Sequence, residues 1–334
     1  MPVPTKSLDA VKRLWPALKW GLCLVVMYFV VRHGWELWTG FGQHVGPIHW
    51  GWLSLAVVTS LVAWLPSLWY WRQLMAALGA TAPWAQVTRA YYCGHLGKYV
   101  PGKGAPIVIR SAFLKKCGVP ATASSLTVTI EALTCMWVGL LVVIALYPAL
   151  AHGLPESFAD TFGHPYLGWC IFACVALSGL VAFALMLRSH RPLANWFHGA
   201  SQEPSAASDI PHGRLPPTVT LAAIGGFVAS WWIQGLTLGL TIQSVSEEAW
   251  NWSDWPFWTG TAAAAIVGGF LAVFAPGGLG VREGVLMELL ERQLGPRAVL
   301  VALLLRGVTL VGDLLVFVAL YYGIAETQRI EDRG

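Results

Sequence analysis

Six stretches of this chain, at roughly residues 14–32, 51–71, 121–148, 166–187, 217–243 and 298–324, are apolar for about the 20 residues that a helix needs to cross a bilayer. A backbone in hydrocarbon has to satisfy its own hydrogen bonds, so runs of this kind leave little choice beyond a bundle of helices. The composition agrees. Hydrophobic residues make up 56% of the chain and charged residues 11%, with a mean hydropathy of +0.59, whereas soluble domains carry about 25% charged residues. Many of the 19 Trp lie near the ends of apolar runs, as expected at a membrane–water interface. The fold class is an all-α polytopic membrane protein, read as a single transmembrane domain over residues 1–334. The net charge of +4 is small; it reflects basic loops and does not indicate nucleic acid as a partner.

Two further segments, 84–116 and 257–294, are apolar but broken. The first contains Gly94-His-Leu-Gly-Lys-Tyr-Val-Pro-Gly-Lys-Gly-Ala-Pro-Ile-Val-Ile-Arg110, and the second Gly269-Phe-Leu-Ala-Val-Phe-Ala-Pro-Gly-Gly-Leu-Gly-Val-Arg-Glu283. Pro removes a backbone donor and Gly tolerates positive φ, so Pro101-Gly102 and Pro276-Gly277-Gly278, with Gly280, each predict a helix break and a turn. At membrane depth such a break is tolerated only inside protein or beside a water-filled cavity. The expectation is two re-entrant helical hairpins marking a binding or transport site.

Basic residues set orientation. The N-terminal tail carries Lys6, Lys12, Arg13 and Lys19, and no small-residue cleavage site follows, so residues 14–32 read as a first spanning helix and not a removed signal. Segment 72–116 holds Arg72, Arg89, Lys98, Lys103, Arg110, Lys115 and Lys116, and the 188–216 loop holds Arg188, Arg191 and Arg214. The loops at 33–50, 149–165 and 244–256 have no Lys or Arg. This alternation predicts a cytoplasmic N-terminus and a cytoplasmic linker at about 188–216 between two halves, roughly 14–150 and 160–325. The halves resemble one another. One constant shift carries Pro101-Gly102 onto Pro276-Gly277, Thr134, Leu140, Val143 and Tyr147 onto Thr309, Leu315, Val318 and Tyr322, and Glu131 onto Arg306. Re-entrant hairpins in both halves predict an inverted repeat, a recurrent transporter plan. In a rival topology 257–275 spans fully and places Arg282, Arg292 and Arg297 inside.

The charged residues near the breaks admit two readings. Lys98, Lys103 and Arg110 either mark the cytoplasmic face, snorkelling to headgroups, or join a helix N-terminus in holding a phosphate. Arg282 and Glu283 read either as a self-neutralising pair at a helix start or as part of a site. Glu131, Arg306 and Asp313 lie within spans, where each isolated charge costs at least about 2.5–3.5 kcal/mol and calls for a partner. They form either a structural ion pair, with Arg306 and Asp313 two turns apart on one helix face, or a headgroup site or coupling-ion relay; Glu131 is expected to pair with Arg306 or Arg282. Gly235 and Gly239 read as packing within the bundle. His95 receives no role. The six Cys have no metal-ligand spacing, and all read as apolar packing residues. No Ser/His/Asp order, His-Glu-x-x-His pair or nucleotide loop is present; Gly278-Leu-Gly280 lacks the strand that a dinucleotide fingerprint follows. No catalytic residue, metal or cofactor is assigned.

Gly97-Lys-Tyr-Val-Pro-Gly-Lys103 with Arg110 downstream, together with Pro276-Gly-Gly-Leu-Gly-Val-Arg-Glu283, resembles the transmembrane (flippase) region of lysylphosphatidylglycerol synthases, over roughly residues 14–324. The resemblance implies a member without the aminoacyltransferase half, in a prokaryotic plasma (inner) membrane, that handles lipids. The expected function is a flippase-like lipid translocase in which Lys103, Arg110 and Arg282 hold an anionic phospholipid or polyprenyl-phosphate-linked headgroup in a central cavity. The alternative is a membrane enzyme or enzyme subunit acting on a polyprenyl-linked substrate through Glu131, Glu283 or Asp313. A third reading is a scaffold that engages a lipid-synthesis enzyme through the 188–216 loop.

Overall fold

The structure, a computed structural model, describes residues 47–99, 104–151, 216–272, 275 and 278–331, with Tyr28, Arg32, Trp35, Cys174, Leu177 and Ser178. The expected spans at 14–32 and 166–187 and the 188–216 linker fall almost wholly outside them. So do the turn residues Pro101, Gly102, Lys103, Pro276 and Gly277.

Ten α-helices are described: α1 (Trp50–Val62), α2 (Leu65–Ala77), α3 (Trp84–His95), α4 (Ala105–Lys115), α5 (Ala121–Ala145), α6 (Tyr147–Leu150), α7 (Pro217–Gln243), α8 (Trp255–Leu271), α9 (Val281–Leu294) and α10 (Arg297–Glu331). A 3₁₀ turn over Leu96–Tyr99 extends α3. Prolines punctuate the chain as their chemistry requires. Pro66, Pro106, Pro148, Pro217 and Pro256 lie in the first turns of α2, α4, α6, α7 and α8, where a missing N–H costs nothing.

Among the described residues, four segments are long and apolar enough to cross a membrane: Trp50–Ala77, Ala121–Ala145, Pro217–Gln243 and Arg297–Leu320. They match four of the six expected spans. Large apolar side chains such as Leu133, Leu221, Leu303, Leu315 and Val318 point outward from these helices, while Ser60, Thr127, Ser230, Gln234 and Thr237 are buried between them. An apolar outer surface over a partly polar interior suits a protein solvated by lipid. The protein is a multi-pass membrane protein.

The two Pro-Gly segments each fold as a pair of shorter helices, α3 with α4 and α8 with α9. At 1.5 Å per residue, the 12 residues of α3 and the 11 of α4 extend only about 18 and 17 Å, against a hydrocarbon core of about 30 Å. The second pair closes at Gly278, whose φ is +70° and whose absent Cβ would lie 2.8 Å from the Gly269 Cα. A long helix follows each pair, and both elements recur at one spacing: α4 starts at 105 and α9 at 281, α5 at 121 and α10 at 297.

One apolar cluster packs Trp71, Tyr91, Leu114, Phe227 and Trp231 around the first hairpin. A second packs Leu238, Leu286, Leu290, Val301 and Ala302 around the next. Helices α7 and α8 serve both. Their crossing is set by Gly235 and Gly239, which lie against Thr259 and Trp258, so this small-residue pair packs within the bundle.

Candidate functional site

Among the described residues, three ion pairs tie the hairpins to the long helices. Beside the first hairpin Arg110 of α4 pairs with Glu131 of α5, Nη1 to Oε2 at 2.9 Å, with both side chains almost fully buried. Glu131 Oε1 accepts hydrogen bonds from Ser67 Oγ and, at 3.4 Å, from Tyr91 Oη. The Arg110 guanidinium lies over the rings of Tyr91, at 4.2 Å, and Trp71, at 4.8 Å. Gly94 makes room for it: a Cβ there would meet the Arg110 Cγ at 2.5 Å.

Beside the second hairpin the signs are reversed. Here the residue on the helix after the break is the acid, and Glu283 of α9 faces Arg306 of α10 at 3.4 Å. The same carboxylate accepts the Gly280 backbone N–H at 2.8 Å, an N-terminal cap, so the tight turn and the ion pair share one side chain.

The third pair joins the first hairpin to α10. Asp313 of α10 is met by the last residue of α3 and the 3₁₀ turn that follows: Lys98 Nζ stands 2.6 Å from Oδ2, Tyr99 Oη donates to Oδ2 at 3.0 Å, and His95 Nδ1 lies 3.8 Å from Oδ1. His95 is buried beside Trp64 and Tyr91, with ring centroids at 4.9 and 4.8 Å. Tyr99 faces two ways, since its ring also lies 5.1 Å from the Arg306 guanidinium.

Arg282, at the start of α9, sits within electrostatic reach of Arg306, Glu283, Asp313 and Lys98. No carboxylate stands within ion-pair distance of it among the described residues. The chain thus brings Lys98, Arg306 and Asp313 together where the end of the first hairpin meets α10, with Glu283 on Arg306 and Arg282 within electrostatic reach. It sets Arg110 and Glu131 apart in the apolar core.

These positions correct several expectations. Glu131 pairs with Arg110, because α5 packs against α4, and pairs with neither Arg306 nor Arg282. Arg306 and Asp313 share a helix but turn to different partners, each offered by a different hairpin. Arg282 and Glu283 make no direct ion pair; Glu283 is held by Arg306 and by the Gly280 N–H. Arg110 is engaged by Glu131 and only 4% exposed. Lys103 lies outside the described residues. His95, Tyr99, Ser67 and Tyr91 gained no role from the sequence. His95 and Tyr99 are part of the first broken motif, a usable signal. Ser67 and Tyr91 lie 64 and 40 residues from Glu131 and offered none.

In comparison with known proteins, the family model described as the lysylphosphatidylglycerol synthase TM region matches residues 14–316. No match was found among curated proteins.

Proposed function

We propose that this chain, which belongs to the lysylphosphatidylglycerol synthase TM region family, moves lipids between membrane leaflets by taking an anionic headgroup at the Lys98, Arg282 and Arg306 cluster. The observation that carries this reading is Arg282: a partly buried guanidinium among further cations, with no carboxylate in ion-pair distance among the described residues. An unpaired charge away from water is costly, and a lipid phosphate is the partner a membrane supplies. Arg holds phosphate oxygens in bidentate fashion. The headgroup would sit between the hairpins while its acyl chains stay in lipid.

In this reading the two hairpins are re-entrant and the halves form an inverted repeat. The short arms of the first hairpin and the equal spacing of hairpin and long helix in the two halves support it. So does the sign-reversed pairing of Arg110 with Glu131 and of Glu283 with Arg306. The enzymatic alternative needs two carboxylates acting together, whereas Glu131, Glu283 and Asp313 each face a different cation.

The test is leaflet exchange of a fluorescent anionic phospholipid in vesicles containing the purified full chain. The expectation is protein-dependent exchange that falls at least tenfold in Arg282→Gln. Exchange no faster than in empty vesicles, or unchanged by Arg282→Gln, would refute the assignment.

A further inference from the structure

Resting on the headgroup reading above, we infer that the anionic headgroup binds together with a proton, which His95 takes up as the headgroup draws Lys98 away from Asp313. Asp313 is the pivot. Its Oδ2 holds the Lys98 ammonium at 2.6 Å and the Tyr99 hydroxyl at 3.0 Å, while its Oδ1 faces His95 Nδ1 at 3.8 Å. That last distance is too long for a hydrogen bond, and Nδ1 is buried with no hydrogen-bond partner. The described residues include two His: His49 is exposed and His95 is buried. A buried imidazole nitrogen facing a carboxylate that another cation already holds is a second, unfilled place for a positive charge.

The groups that face His95 come from three directions. Its own hairpin offers Lys98, the Tyr91 and Tyr92 rings and, within electrostatic reach, Arg110; α10 offers Asp313; Trp64, between α1 and α2, places its ring centroid 4.9 Å away. The Tyr92 hydroxyl donates to the Leu61 carbonyl and the Tyr91 hydroxyl to Glu131. Two nearby cations and three aromatic rings make an imidazolium costly here while Lys98 stays on Asp313. A phosphate changes this. Once the ammonium leaves for a phosphate oxygen, Asp313 is a buried anion without its nearest cation, an expensive state, and a proton on His95 replaces that cation. The only bond made is N–H: the imidazole takes its proton from water, and Lys98 keeps its own protons and changes acceptor. Headgroup and proton then favour one another by the same factor, since coupling between sites is reciprocal. Imidazole is the side chain whose ordinary pKa lies between pH 5 and 8, so headgroup binding tightens as the pH falls through that range. The charges on Lys98, Arg110, Arg282 and Asp313 are constant across it.

The experiment is equilibrium binding of tail-labelled phosphatidylglycerol to the purified full chain in neutral detergent. The phosphodiester of this probe keeps one charge over the range used. Affinity is measured at about pH 6 and about pH 8, either side of the ordinary imidazole pKa of about 6.5, and proton uptake on binding is followed with an indicator dye in weak buffer near pH 7. Binding at least about fivefold tighter at the lower pH is expected, the low end of coupling between two sites, with net proton uptake. His95→Gln should bind at the higher pH and lose both the pH step and the uptake, which separates His95 from every other His in the chain. If His95→Gln does not elute as a folded monodisperse species, His95→Asn takes its place, and if neither folds the wild-type proton uptake decides. Equal affinity at the two pH values without proton uptake, or the same step in a folded His95 variant, overturns the inference while leaving the headgroup site in place. No binding at either pH overturns both.

Discussion

Removing one member of the Arg110–Glu131 pair is the sharpest test of how this interior is built. The two side chains are 4% and 6% exposed and meet at 2.9 Å. Arg110→Met keeps an unbranched side chain over the Trp71 and Tyr91 rings but deletes the charge. It leaves Glu131 buried with only the Ser67 and Tyr91 hydroxyls for partners. Breaking a buried pair from one side costs about 3–5 kcal/mol, because the surviving charge is uncompensated; the lost cation–π contacts fall within that figure and are not added to it. Glu131→Gln strands the guanidinium and is expected to cost a similar amount. The double variant Arg110→Met/Glu131→Gln strands nothing, and its amide still accepts from Ser67. It should lie at least about 2 kcal/mol above the sum of the single losses. SDS-induced unfolding in mixed micelles, followed by tryptophan fluorescence, gives all four stabilities. If Arg110→Met lies within about 0.5 kcal/mol of wild type, or the two changes simply add, then water reaches this pair and the buried-core assignment is wrong.

Three further outcomes follow from the same geometry and can be read by the same unfolding assay. Gly94→Ala, whose Cβ would sit 2.5 Å from the Arg110 Cγ, should cost about 2–4 kcal/mol by forcing Arg110 off Glu131; in an Arg110→Ala background most of that cost should vanish. Gly278→Ala combines a φ of +70° with a Cβ 2.8 Å from the Gly269 Cα, and should cost more than the 1–2 kcal/mol typical of a left-handed residue. Lys98→Met leaves the Asp313 carboxylate, 4% exposed, without its nearest cation; a loss of about 2–4 kcal/mol is expected, largely recovered when Asp313→Asn is added.

Much of the architecture was legible from local chemistry alone. Apolar runs near Trp50–Ala77, Ala121–Ala145, Pro217–Gln243 and Arg297–Leu320 read as spans because hydrocarbon leaves a backbone no choice but helix over that length. The Pro-Gly motifs marked where the two remaining segments break. The small-residue pair at Gly235 and Gly239 signalled close packing.

Pairing was another matter. A charge inside a span declares that it needs a partner, but not which one. Glu131 had Arg282 and Arg306 as candidates in the sequence and found Arg110, because α4 folds back against α5 and Gly94 leaves its guanidinium a path. Arg306 and Asp313 lie on one helix face and were divided between Glu283 and Lys98 by the hairpins that approach α10 from different segments. Composition, periodicity and helix breaks are set by neighbours along the chain, so the sequence by itself determined them. Which cations are matched, and that Arg282 has no carboxylate beside it among the described residues, depends on contacts between segments up to about two hundred residues apart, such as Tyr99 with Asp313. Those contacts exist only once the helices have packed, and tertiary structure alone decided them.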